Sequence, residues 1–433
     1  MDSSSVLVIC FVIVLFSLIS RRLENSILTP PILFALFGLL AGANGLGILH
    51  ISLGDDALHL VAEITLILVL FGDASRINLR ALKKELGLPL RLLGISLPLT
   101  ILAGGGLALF VFPELTLWEG MLLGAILAPT DAALGQAVVS SKKVPQRIRQ
   151  ALNVESGLND GIAVPIVLIL MSLAATEVHE ARTSSEWVVF TTKQIALGPL
   201  AGIVVGLLGG WVLVHGKKNN WFSESLERIL GLALAILAFT AAEHIGGNGF
   251  IAAFIGGLTM GNFAKNVRSP VYEFLEAEGQ LLMLVVFLIL GATIAWPVLS
   301  TASPIVFLYA AASLTVVRML PTAIGMIGTG AKAQTVAFLG WFGPRGLASL
   351  LFVIVVVEEG MLAHSELVFA IVITTVVGSI LAHGMTAAPG ASLYGAFMKR
   401  NKDNCHTEMK TVTHHPVRTG GCLGETKSVL EAS

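Results

Sequence analysis

About thirteen apolar stretches divide this chain, and they constrain its fold more than any other feature. A helix needs roughly 20 residues to cross a bilayer, because hydrocarbon offers the backbone no hydrogen-bond partners. The windows are 5–20, 30–48, 57–73, 88–112, 118–140, 150–175, 192–215, 226–244, 247–262, 276–298, 303–328, 334–357 and 366–388. The shortest, 247–262, is the weakest signal. Of 433 residues, 55% are hydrophobic and only 13% charged, which no ordinary soluble domain matches. The expected fold class is an all-α polytopic membrane protein. The first window reads as a retained helix, because no basic region precedes it and Arg21 and Arg22 follow it.

Loop charges test the count. With the N-terminus outside, alternate loops should be cytoplasmic and basic. Arg21 and Arg22 fall in the first loop, and Arg76, Arg80, Lys83, Lys84 and Arg91 in or beside the third. Lys142, Lys143, Arg147 and Arg149 fall in the fifth, and Lys217, Lys218 and Arg228 in the seventh. Lys265 and Arg268 are in the ninth, Lys332 is in the eleventh, and Lys399, Arg400 and Lys402 follow the last window. The opposite loops carry Asp55, Asp56, Glu114, Glu180, Glu358 and Glu359, with Arg182 and Lys193 against the trend. The alternation predicts an odd number of spans in a cell membrane, N-terminus outside and C-terminus cytoplasmic.

Some charges have no loop to occupy. Glu155-Ser156-Gly157-Leu158-Asn159-Asp160-Gly161 lies inside one apolar window, Asp131 inside the one before it, and Arg318 and Arg345 inside later ones. Intramembrane charges are costly, so they mark ion or proton pathways and pair with one another. Snorkelling to an interface is the competing reading for each arginine. On a helix Ser156 and Asp160 share a face, with Glu155 and Asn159 on the adjacent one. This suggests that Asp160 and Ser156 face an ion while Glu155 pairs with an arginine. Pro129, two residues before Asp131, cannot donate its N–H and leaves the Ala125 carbonyl without its helical donor. Gly343-Pro344-Arg345-Gly346 supplies a second break. Broken helices meeting near the midplane are how many transporters build ion sites, and two breaks in the two halves suggest an inverted repeat. One break carries an acid and the other a base, each able to offset the partial charges of half-helix ends.

Ala128-Pro129-Thr130-Asp131, the Glu155–Gly161 motif, Gly343-Pro344-Arg345-Gly346 and His383-Gly384-Met385-Thr386 together resemble the monovalent cation/proton antiporter superfamily, sodium/proton exchanger branch. The resemblance covers nearly all of residues 1–390. It implies an NhaA-like fold with inverted repeats and two unwound crossing helices, 118–140 and 334–357. The exchanger domain would span 1–398, with a core at approximately 88–175 and 303–388 and a dimerisation scaffold at approximately 5–73 and 192–298. The core is expected to slide as an elevator against the scaffold of a homodimer. Residues 399–433 are expected to be a short, disordered cytoplasmic tail.

The resemblance also implies residue roles. Asp160 is the ion- and proton-binding carboxylate. Asp131 and Thr130, the latter through its carbonyl, are crossing-helix partners, and Ser156 is an oxygen ligand. Glu155 forms a structural ion pair with Arg318, and Arg345 is the arginine of the second crossing helix. Many relatives carry Pro after the Thr-Asp pair, where this chain has Ala132. Asn159 replaces the Asp of electrogenic relatives, which implies exchange of one cation for one proton without net charge. The mechanism expected is competition of Na+, Li+ or K+ with H+ for Asp160, hard oxygen ligands suiting a small alkali ion.

No resident cofactor and no nucleic-acid partner are expected, and neither His-Glu-x-x-His nor Gly-x-Ser-x-Gly occurs to suggest an enzyme. A cation channel and a sodium-coupled organic-anion symporter are the competing functions. Among weaker signals, Glu243-His244 reads as an interfacial pair, Cys10 as a buried apolar residue, and Gly104-Gly105-Gly106 and Gly246-Gly247-Asn248-Gly249 as close-packing positions. Cys405, His406, His414, His415 and Cys422 match no standard zinc spacing.

Overall fold

The computed structural model describes residues 3–23, 26–49, 56–84, 87–131, 134–178, 184–264, 269–358, 360, 362–401 and 407–409. Among them every regular element is helical, and every apolar window read from the sequence contains helix. Among the described residues seven helices are long and apolar enough to cross a membrane. Window 30–48 is helical only over Pro30–Ala41. The glycine-rich segment that follows turns instead, with Gly47 in the left-handed region at φ +63°.

Two windows are broken where the prolines stand. The first crossing helix runs Leu117–Ile126, unwinds, and resumes as Gln136–Val139. The second runs Ala333–Trp341, unwinds over 342–346, and resumes as Leu347–Glu358. They are antiparallel: Glu119, in the first turn of one, bonds the His364 amide just beyond the end of the other at 2.8 Å. As expected, Pro129 gives the Ala125 carbonyl no helical donor, and the Ala128 amide turns back onto it at 3.4 Å instead. The Ile126 carbonyl beside it accepts the Ser349 hydroxyl of the second crossing helix at 2.7 Å. The freed groups are satisfied partly in a tight turn and partly across the breaks.

The helices pack in two groups. Pro30–Ala41, Asp56–Arg76, Ser184–Lys218, Glu224–His244, Gly249–Phe263 and Ser269–Ile289 contact one another. Leu97–Val111, the two crossing helices, Pro304–Leu314, Val316–Gly325 and Ser365–Arg400 form the second group. Gln146–Val178 touches both. Small residues set the spacing at these contacts. A Cβ at Gly124 would stand 2.4 Å from the Ile101 carbonyl, and one at Gly105 would stand 3.0 Å from Met121 Cα. Gly161 sits against the Phe254 ring, so the last residue of the acidic motif brings a helix of the first group close.

Candidate functional site

The site lies where Gln146–Val178 passes the two breaks. The breaks are stitched together directly. The Asp131 amide donates to the Pro344 carbonyl at 2.8 Å, and Asp131 Oδ2 accepts the Leu347 amide at 3.2 Å. Leu347 opens the second half of its crossing helix, so this carboxylate faces the positive end of a helix dipole. Gly346 permits the approach, since a Cβ there would stand 2.4 Å from Asp131 Oδ2.

Gln146–Val178 then brings its motif against Thr130. The Ser156 hydroxyl donates to the Thr130 carbonyl at 2.8 Å. Asn159 Nδ2 donates to Thr130 Oγ1 at 2.7 Å. Asn159 therefore sides with Ser156, not with Glu155 as the simple face assignment had it. Residues three apart on a helix are neighbours too, and Thr130 offers both a hydroxyl and a carbonyl. Asp160 lies one turn beyond Ser156 on the same helix. Asp160 is 8% exposed and Asp131 9%, so both carboxylates are inside the protein. Thr130, Asp131 and Ser156 line a small cavity together with Gly135, Val138 and Pro344.

The two arginines are fully buried and neither snorkels. Arg318 Nη2 stands 2.5 Å from Glu155 Oε1. Glu155 thus leaves the Ser156 face for an arginine on another helix. Arg345 Nη1 donates to the Gly343 carbonyl at 2.6 Å and Nη2 to the Ser313 carbonyl at 3.4 Å. Its own amide donates to Ser379 Oγ at 2.7 Å. Ser379 also contacts His383 Nδ1 at 3.1 Å, which places the His383 motif behind the second break.

Several residues near the site went unread in the sequence. Asp73, Gln136 and Glu276 line a second cleft, together with Arg76, which reads in the sequence only as a loop cation. Asp73 closes its apolar window three residues before Arg76, so it reads as an interfacial acid. Ser349, Ser379 and Gln136 are single polar residues in apolar stretches, and only their tertiary partners distinguish them.

Weaker sequence signals have plain outcomes. Glu243 and His244 are exposed at a helix end, where Glu243 Oε1 accepts the Gly249 amide at 2.7 Å. Cys10 is exposed, not buried. It lies near Leu7 and Phe11, also exposed, on a helix apolar on every side, where apolar character does not report the interior. Lys399–Asn401 continue or cap the last helix. Thr407–Met409 lie against the protein, and Arg147 donates to the Thr407 carbonyl. Ala132, Cys405, His406, His414, His415 and Cys422 lie outside the described residues. Among the described residues no three His, Cys, Asp or Glu side chains gather as a metal site.

A helical bundle with two antiparallel broken helices, crossed at the buried Asp131 and passed there by a helix carrying the buried Asp160, defines a membrane ion-transporter type of site. The sequence profile of the family described as "Sodium/hydrogen exchanger, transmembrane" matches residues 7–392, and the chain belongs to that family. A K(+)/H(+) antiporter NhaP2 of Shewanella sp. (strain ANA-3) is 27% identical over 389 residues, covering 88% of this chain and 64% of that protein. A Na(+)/H(+) antiporter of Schizosaccharomyces pombe is 26% identical over 316 residues, covering 66% of this chain and 67% of that one. This chain therefore spans slightly less than two thirds of the length of the NhaP2 relative. The fold is that of the sodium proton antiporter MjNhaP1 from Methanocaldococcus jannaschii, with TM-score 0.71 at 22% identity over 90% of this chain and 98% of that one.

Proposed function

We propose that this protein exchanges a monovalent alkali cation for a proton across the membrane, with Asp160 carrying one or the other. The observation that supports this reading is that the helix carrying the buried Asp160 docks its Ser156 on Thr130, beside the buried Asp131 at the crossed breaks. Ser156 Oγ and the Thr130 carbonyl lie 2.8 Å apart, one turn from Asp160. A bare carboxylate there is penalised by burial. Either a proton or a partly dehydrated cation relieves that penalty, and each excludes the other. The oxygens of Ser156, Thr130, Asp131 and Asp160 form a hard donor set suited to a small alkali ion. Asn159 does not titrate, so a single carrier carboxylate moves one proton per cation and the cycle is electroneutral. Curated relatives are named for K(+)/H(+) and for Na(+)/H(+) antiport, and both ions belong in the assay.

Alternating access comes from the second helix group sliding as a core against the first, held as the scaffold of a homodimer with basic loops facing the cytoplasm. The test is cation-induced dequenching of a pH dye in proteoliposomes, with wild type or Asp160→Asn and with or without a potential clamp. Wild type should exchange Na+, Li+ or K+ for H+ at a rate the clamp leaves unchanged. Asp160→Asn should lose exchange and keep its elution profile. Exchange surviving in Asp160→Asn removes Asp160 as the carrier. A clamp-sensitive wild type removes the one-for-one cycle.

A further inference from the structure

Arg76 ends the Asp56–Arg76 helix and reaches Glu276 on Ser269–Ile289, Nη2 to Oε2 at 2.6 Å. Their side chains are 12% and 17% exposed, so the pair is largely withdrawn from solvent without being sealed. Both line a cleft between the Asp56–Arg76 and Ser269–Ile289 helices, together with Asp73 and with Gln136 of the second group. Gln136 directly follows Gly135, which lines the cavity holding Thr130, Asp131 and Ser156. The two spaces are therefore lined by consecutive residues of the chain at this point. A guanidinium on the wall of a cation's path is repulsive, and clefts with low-dielectric walls focus that field. With Arg76 tied to Glu276, the cleft's formal charge is −1, the sum of Asp73, Glu276 and Arg76.

We infer that Glu276 is a positioning residue for cation access: it holds and neutralises Arg76, keeping the cleft that leads toward Asp160 attractive to a cation. The inference rests on the exchanger reading above, and on the cleft being the route to the site. Glu276→Gln raises the cleft charge from −1 to zero and frees the guanidinium. Arg76→Gln lowers it to −2. A mere staple between two helices predicts that both substitutions act in the same direction. An electrostatic role predicts opposite signs.

The experiment measures apparent KM for Na+ and K+ in proteoliposomes at fixed pH and low ionic strength. Wild type, Glu276→Gln, Arg76→Gln, the double variant and the charge swap Arg76→Glu/Glu276→Arg are compared, each checked for elution profile and thermal melting. Glu276→Gln should raise KM about three- to tenfold with kcat little changed, within the reach of electrostatic focusing. Arg76→Gln should lower KM, and the double variant and the swap should both return toward wild type. Choline chloride at about 0.3 M should shrink every difference, because it screens partly solvated charges. A KM raised by both single substitutions, or differences that resist salt, overturns the inference. Wild type that exchanges no alkali cation overturns the exchanger reading itself and this inference with it. Wild type that exchanges, with all variants at the same KM, overturns this inference alone.

Discussion

Glu155 and Arg318 show what a single buried charge imposes on its surroundings. Both are sealed from solvent and meet at 2.5 Å, yet Glu155 Oε2 and Arg318 Nε and Nη1 have no hydrogen-bond partner among the described residues. Such a pair adds little net stability, because desolvation cancels much of the attraction. Removing one partner strands the other charge and costs about 3–5 kcal/mol. Glu155→Gln and Arg318→Met should each lower the melting temperature in detergent markedly, and the double variant should lose less than the sum. Additive losses in a thermal-melt series would mean that the two do not act as a unit. The same logic made it legible in the sequence that Glu155 pairs with an arginine, since two arginines had no loop to occupy, while the choice of Arg318 came from the family resemblance. Asp73 was not legible, because an acid one turn from a basic helix end looks solvated. Asn159 was only half legible. Its residue type ruled out titration, but its partner depended on where Thr130 lay after the first break unwound.

At the scale of elements, the two crossing helices are built from half-helices too short to persist alone. Leu117–Ile126 has 10 residues and Ala333–Trp341 has 9, while an isolated helix of that length is marginal in water. Their unsatisfied N-terminal amides need acceptors. The first half-helix carries its own, a capping box in which Thr116 and Glu119 each accept the other's amide. Glu119 also stands 2.9 Å from His364 Nδ1, tying that end to the start of the Ser365–Arg400 helix. The second half-helix has no side-chain cap at Lys332. Glu408 supplies one from far along the chain, accepting from the Lys332 amide and from Thr335 Oγ1, each at 2.8 Å. Thr335 in turn meets the Tyr394 hydroxyl at 2.9 Å. Glu408→Ala should therefore cost about 0.5–2 kcal/mol, the usual range for a lost cap. Amide exchange over residues 333–341 should speed up while residues 117–126 stay as they were. Equal loosening of both half-helices would point to a general loss of packing. The breaks themselves were readable, because proline and glycine act locally. A cap contributed 73 residues away leaves no local pattern, which is why the segment after the last apolar window reads as disordered chain.

For the whole molecule, hydropathy fixes which segments are buried in lipid but not which helices travel together. The contacts divide them into two groups, with Gln146–Val178 between. That helix touches the Asp56–Arg76, Ser184–Lys218 and Gly249–Phe263 helices on one side and Leu117–Ile126 and Leu347–Glu358 on the other. It carries Asp160, so the carboxylate sits on a helix packed against both groups. The second cleft gives a direct handle on any sliding of one group past the other, because Gln136 and Gly279 line it from opposite groups. A side chain fits at Gly279, where an added Cβ would make only ordinary contact with Val69 at 3.7 Å. With Cys10, Cys405 and Cys422 replaced by Ser, cysteines can be placed at Gln136 and Gly279 and joined by a short bifunctional methanethiosulfonate. If exchange requires the groups to slide, the linked protein should lose at least about tenfold in rate, since the step gates the whole cycle. Reduction should restore the rate, and either single cysteine treated alone should exchange normally. Full exchange through a verified cross-link would mean that Asp160 is reached from both sides without relative movement of these two walls, and the elevator would have to give way to a local gate at the breaks.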